Sequence, residues 1–130
     1  MLTTFVPCFM EKNIYTLQQM NAFVQHAIQN GLPGCYWMTA EVASYSLNKG
    51  HAYFNFVQRS EAGASLAEAR GLCWSNTWRD LSTKFYTVNG GPLTMGMKVL
   101  MLVKPTFHEQ YGFSYAVYDI DPTYTLGERA

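Results

Sequence analysis

The chain has 130 residues, of which 48% are hydrophobic and 15% aromatic, enough for one domain that buries about two-thirds of its unfolded surface. Nine basic and nine acidic side chains cancel, so no global basic field advertises a nucleic-acid partner, and any such binding must come from a local patch. Cys8, Cys35 and Cys73 form no CxxC pair and are odd in number, which argues against a disulfide framework and for a reducing, cytoplasmic setting.

The opening "MLTTFVPCFMEKN" is apolar, but it has no basic residue before its apolar run and is interrupted by Pro7, which makes it a poor signal peptide. Residues 1–14 read as a leader, either a disordered extension or sequence upstream of a true start at Met10. No stretch approaches the ~18 apolar residues of a membrane-spanning helix. From Thr16, "TLQQMNAFVQHAIQNG" puts Leu17, Met20, Phe23, Val24, Ala27 and Ile28 on one helical face. Thr16 and Gln19 make a capping box and Gly31 supplies a stop.

Residues 35–45 read as a long strand, "SLNKG" as a turn, and residues 51–58 and 65–74 as two further strands joined by "RSEAGA". Ser75 is the expected N-cap of a second helix in which Trp78, Leu81 and Phe85 recur at helical spacing, ending before "NGGP". Residues 97–107 read as a buried strand, "HEQYG" as a turn and "FSYAVYDID" as the last strand. Five strands with a helix between the third and fourth form the layout of the oligonucleotide/oligosaccharide-binding (OB) barrel, although many α+β domains share that order.

Strict alternation sends Phe54 and Phe56 to one side of the second strand and His51, Tyr53 and Asn55 to the other. In the third strand it groups the small Ala69, Gly71 and Cys73 against Arg70, Leu72 and Trp74. Small residues facing phenylalanines suit a narrow barrel interior. His51, Tyr53, Asn55, Arg70 and Trp74 then share an outer face, where rings stack on bases and a guanidinium meets phosphate. Lys49 in the first turn, Arg79 on the second helix, Lys104 on the fourth strand, and His108 and Tyr111 in the last turn are expected around it. Each has a plainer reading: Tyr53 as half-buried packing, Trp74 as the seal of the barrel end, the others as solvated surface.

Catalytic chemistry is not legible. His26, His51 and His108 lack metal-ligand spacing, "HEQYG" lacks a second histidine, and "NGGPLTMG" lacks the lysine of a phosphate loop. Asp119 and Asp121 share a strand face that could hold Mg²⁺, but an exposed strand end accounts for them as well. No cofactor is expected.

"YTLQQMNAFVQHAI", "YWMTAEVASY", "KGHAYFNFV", "ARGLCWSN" and "YGFSYAVYDIDPTYTLGE", in this order, resemble the N-terminal domain of the large subunit of exodeoxyribonuclease VII. The most specific parts are Gly50, His51, Tyr53 and Phe54 after the Trp37–Glu41 strand, and Asp119-Ile120-Asp121-Pro122 followed by Leu126-Gly127. The resemblance spans about residues 15–128 and implies an OB-fold that binds single-stranded DNA and presents it to a catalytic region C-terminal to it and absent here. It also implies a small helical subunit as partner, and an isolated domain that binds without cutting. It supports His51 and Tyr53 in "GHxYF" and Arg70 and Trp74 in "ARxxxW". Thr39 and Val57 stand where the family often has basic residues, which implies weak, salt-sensitive binding. The competing reading is a scaffold module that holds other parts of a nuclease complex. A small-ligand barrel would need an internal cavity, which the inward aromatics leave little room for.

Overall fold

In the computed structural model, which describes residues 12–129, five strands close into a barrel in the order β1-β2-β3-β5-β4. The elements are α1 (Leu17–Gly31), β1 (Tyr36–Asn48), β2 (His51–Arg59), β3 (Ser65–Cys73), α2 (Ser75–Asn89), β4 (Lys98–His108), β5 (Gly112–Ile120) and α3 (Pro122–Arg129). All neighbouring strands are antiparallel except β3 and β5, whose parallel pairing of Gly71 with Tyr115 and Leu72 with Ala116 closes the barrel. This is the OB topology expected from the element order. Most of the leader, with Cys8 and Met10, lies outside the described residues.

The alternation in β2 and β3 holds. Ala52, Phe54, Phe56, Gly71 and Cys73 point inward and join Val42, Val99, Met101, Val103, Val117 and Ile120 in the core. Phe54 and Phe56 stack at 5.2 Å and 9°, and a Cβ at Gly71 would overlap the Phe56 ring. Glycine is what lets that ring lie flat against β3. Trp78, Leu81 and Phe85 of α2 plug one end of the barrel, with Trp78 against both Tyr45 and Phe54.

Several expected boundaries shift. β1 runs on to Asn48, which pairs with His51, so "SLNKG" contracts to a two-residue turn with Lys49 at φ 54° and Gly50 at φ 82°, both in the left-handed region a tight hairpin needs. Ser75 is the first residue of α2, and Trp74 occupies the N-cap with no side-chain cap bond. Thr16 and Gln19 form the expected capping box, but α1 ends at Gly31 with Leu32 as C-cap, so no left-handed glycine stops it. The apolar stripe of α1 also turns out: Leu17, Met20, Phe23 and Val24 are exposed and no residue of the helix is buried. Gln25 and Asn21 fasten α1 to the end of β4 through the carbonyls of Phe107 and Glu109.

α3 has no counterpart in the sequence reading. Asp121 caps it by accepting from the Thr123 N–H and hydroxyl, Pro122 takes the first helical position, and the buried Thr125 hydroxyl donates to the Lys98 carbonyl at 2.6 Å. The two aspartates therefore have structural partners, Asp119 bonding Lys84 of α2 at 2.8 Å. Burial pushes the Asp119 carboxyl up, but the Lys84 ammonium and the Ile120 N–H outweigh it and hold it below the ordinary carboxylate range. The Thr123 hydroxyl and the backbone around it hold Asp121 low as well. Because both folded values are depressed, their stabilisation is complete above about pH 4 and is lost as pH falls below it. The urea midpoint should thus drop between about pH 4 and pH 2, and Asp119→Asn should drop less over that interval; an equal drop would remove Asp119 from the account.

Candidate nucleic-acid interface

The outer face of β2 and β3 carries a stripe that starts at the β1–β2 turn and ends at the β4–β5 turn. At the first end, the His51 Nδ1 accepts from the Ser75 N–H at 2.9 Å, which leaves the proton of the neutral ring on Nε2. The imidazole thereby serves one of the unpaired amides at the start of α2, a task the N-cap Trp74 side chain does not perform. The Trp74 ring meets His51 edge-on at 5.0 Å and is 53% exposed, so it does not seal the barrel. A Cβ at Gly50 would stand 3.1 Å from the Ser75 side chain, which places Lys49 beside this pair.

Tyr53 occupies the middle, 41% exposed, between Ser46 of β1 and Leu72 of β3. The far end is a relay of contacts. Asn55 faces Arg70 in register and donates to the Ser44 hydroxyl at 2.8 Å. The Arg70 Nη2 donates to the carbonyls of Tyr111 at 2.8 Å and Phe113 at 3.2 Å, fastening the β4–β5 turn to β3. His108 accepts from the amides of Gln110 and Tyr111 through Nδ1 and stacks on the Tyr111 ring at 4.7 Å. His51 to Asn55 spans ~13 Å along the strand.

The structure thus brings together Lys49, His51, Tyr53, Asn55, Arg70, Trp74, His108 and Tyr111. Arg79 stands one helical turn beyond Ser75, at the edge of the Trp74 end, with its guanidinium 3.8 Å from the neighbouring Asp80. Lys104 is not part of the stripe. It sits on β4, which β5 separates from β3 and β1 separates from β2, on the side where α1 packs. Val57 is buried, between Glu41 and Glu68 in the sheet register, whereas Thr39 is exposed. The sequence reading missed Ser44 as the partner of Asn55, and Glu68, which the alternation that exposes Arg70 also exposes.

Among the described residues no group of histidine, cysteine or acidic side chains is placed to hold a metal ion. The buried Cys73 thiol is pushed up to about 12 by its apolar surroundings, which makes it a packing residue with little thiolate character. What the surface offers is ring faces, a guanidinium, amides and hydroxyls, the groups that hold a polyanion and its bases.

A family model described as OB-fold nucleic acid binding domain matches residues 15–121. The chain belongs to this family. The OB-fold match ends just before α3, although Pro122 and Thr125 of that helix are buried with the rest of the domain. The exodeoxyribonuclease 7 large subunit of Deinococcus radiodurans is 39% identical over 119 residues, which cover 88% of this chain and 28% of that protein. The chain therefore spans under a third of that relative's length. Among the described residues no helix is long and apolar enough to cross a membrane.

Proposed function

We propose that the outer face of β2 and β3 binds single-stranded DNA and presents it to the catalytic region of an exodeoxyribonuclease VII large subunit, in the cytoplasm. The observation that carries this reading is the stripe from Lys49 to Tyr111, in which open rings alternate with hydrogen-bonding and cationic groups between two turns pinned to the barrel. Single strands suit it because their bases are free to stack, whereas a duplex hides its base faces. The stripe has room for roughly three or four bases at 3.4 Å each. DNA as the nucleic acid rests on the name of the Deinococcus radiodurans relative. Binding of this kind needs no metal or cofactor.

Fluorescence anisotropy with labelled single-stranded and duplex oligonucleotides, at low and moderate salt, tests the reading. Single strands should bind preferentially, and Arg70→Ala should weaken them and lower the salt slope by about 1. A folded protein that binds no single strand even at low salt would contradict it and favour the second reading, a scaffold module within the nuclease complex. That alternative has its own observation, the exposed Leu17, Met20, Phe23 and Val24 of α1, and its partners would be the small subunit or the rest of the large subunit.

A further inference from the structure

Beside the far end of the stripe the barrel seam opens. β3 and β5 pair only at Gly71–Tyr115 and Leu72–Ala116, so the stretch of β3 before Gly71 has no ladder partner in β5, which pairs there with β4 alone. The gap is a wide-mouthed surface hollow of about 420 Å³ lined by Asn55, Phe56, Glu68, Ala69, Arg70, Phe113 and Tyr115. Its inner wall is aromatic, with Phe113 and Tyr115 edge-to-face at 5.0 Å and Phe56 beneath. Its rim is polar: Glu68, Arg70 and Asn55 all lie on the outer face of their strands.

The rim has unused hydrogen-bonding capacity. Glu68 accepts from the Ser65 hydroxyl through Oε2 at 2.9 Å, and among the described residues its Oε1 has no partner and its charge no cation. Arg70 commits Nη2 to two carbonyls, which holds the group in place, while Nη1 and Nε are unpaired among the described residues. An unpaired carboxylate on a surface that receives phosphates is unfavourable unless a donor reaches it. The exocyclic amines and ring N–H groups of bases are such donors, and a phosphate backbone supplies none.

We infer that this seam hollow admits one base of the bound strand and selects guanine. This inference rests on the single-strand reading above. Guanine presents two adjacent donors, N1–H and the 2-amino group, which match the two oxygens of the Glu68 carboxylate. Adenine and cytosine each present one amino group beside an acceptor, and thymine one N–H between two carbonyls. Glu68 is therefore a specificity-determining residue and Phe113 and Tyr115 are the surface against which the base lies.

The test uses fluorescein-labelled dT 12-mers in which the central residue is dT, dG, dA or dC, titrated at one low salt concentration with the wild-type chain and with Glu68→Gln. The dG oligonucleotide should bind the wild type about tenfold more tightly than the all-dT one. In Glu68→Gln that ratio should fall to about one, whatever the loss of a negative charge does to both affinities alike. Glu68 is exposed, so the variant should stay folded, which its circular dichroism checks. Equal binding of all four oligonucleotides, a preference for dA or dC, or a dG preference retained in Glu68→Gln would overturn the inference while leaving the single-strand reading intact. Absence of binding to any oligonucleotide would overturn both.

Discussion

Phe54→Ala should cost the domain about 3–5 kcal/mol of stability, the largest effect expected of any single truncation here. Its ring is buried at the centre of the barrel, stacked on Phe56, 5.6 Å from Tyr45 and 5.7 Å from Trp78. These neighbours cannot collapse into the space it leaves. Phe56 is held flat against Gly71, Tyr45 is fixed by its hydroxyl donating to the Leu93 carbonyl at 2.7 Å, and Trp78 is part of a helix pinned at both ends. Against a total of about 5–15 kcal/mol such a loss is large, and thermal denaturation should register it as a fall of roughly 10 °C or more. A loss under about 1 kcal/mol would mean that the interior repacks and that the barrel is not the rigid support the outer stripe requires.

The second large effect concerns binding and should leave the fold alone. Tyr53→Ala removes the ring in the middle of the stripe and should weaken single-stranded DNA binding by about 1–3 kcal/mol, roughly five- to 150-fold. Because Tyr53 is exposed, stability should change by no more than about 0.5 kcal/mol. Tyr53→Phe, which keeps the stacking face, should retain most of the affinity. Anisotropy titrations alongside thermal melts separate the two quantities. If Tyr53→Ala binds as the wild type does, bases do not stack at this position.

The faces of β2 and β3 were readable because alternation is a local property and because residue size reports which side is crowded. Phe56 over Gly71 is the clearest instance. Alternation and residue size therefore put Arg70, Tyr53 and Trp74 on the outside. What alternation does not encode is which outer faces become neighbours, so Lys104, outward on its own strand, lies on another side of the closed barrel from the residues it is expected to join. The ties from Arg70 to Tyr111 and from His51 to Ser75 join residues 41 and 24 positions apart, and no local pattern encodes them. The β1–β2 turn is shorter than the sequence suggests because Lys49, an unusual residue to carry a positive φ, does so here. α1 shows the opposite limit: its periodicity defines an apolar face, but the helix meets the barrel through Asn21 and Gln25 instead, because periodicity does not establish that a face is covered. For α3 a signal existed in Asp121 followed by Pro122, the cap and first position of a helix, but few apolar residues follow to mark a core-facing side.

Amide chemical-shift mapping tests the central claim most directly, by adding an unlabelled dT 12-mer to the ¹⁵N-labelled chain at low salt. The stripe should respond as a unit, with the largest changes at Lys49, His51, Tyr53, Asn55, Arg70, Trp74, His108 and Tyr111 and little change at Lys104 or along α1. Changes centred on α1, or none anywhere, would contradict the assignment of the β2–β3 face as the path of the strand.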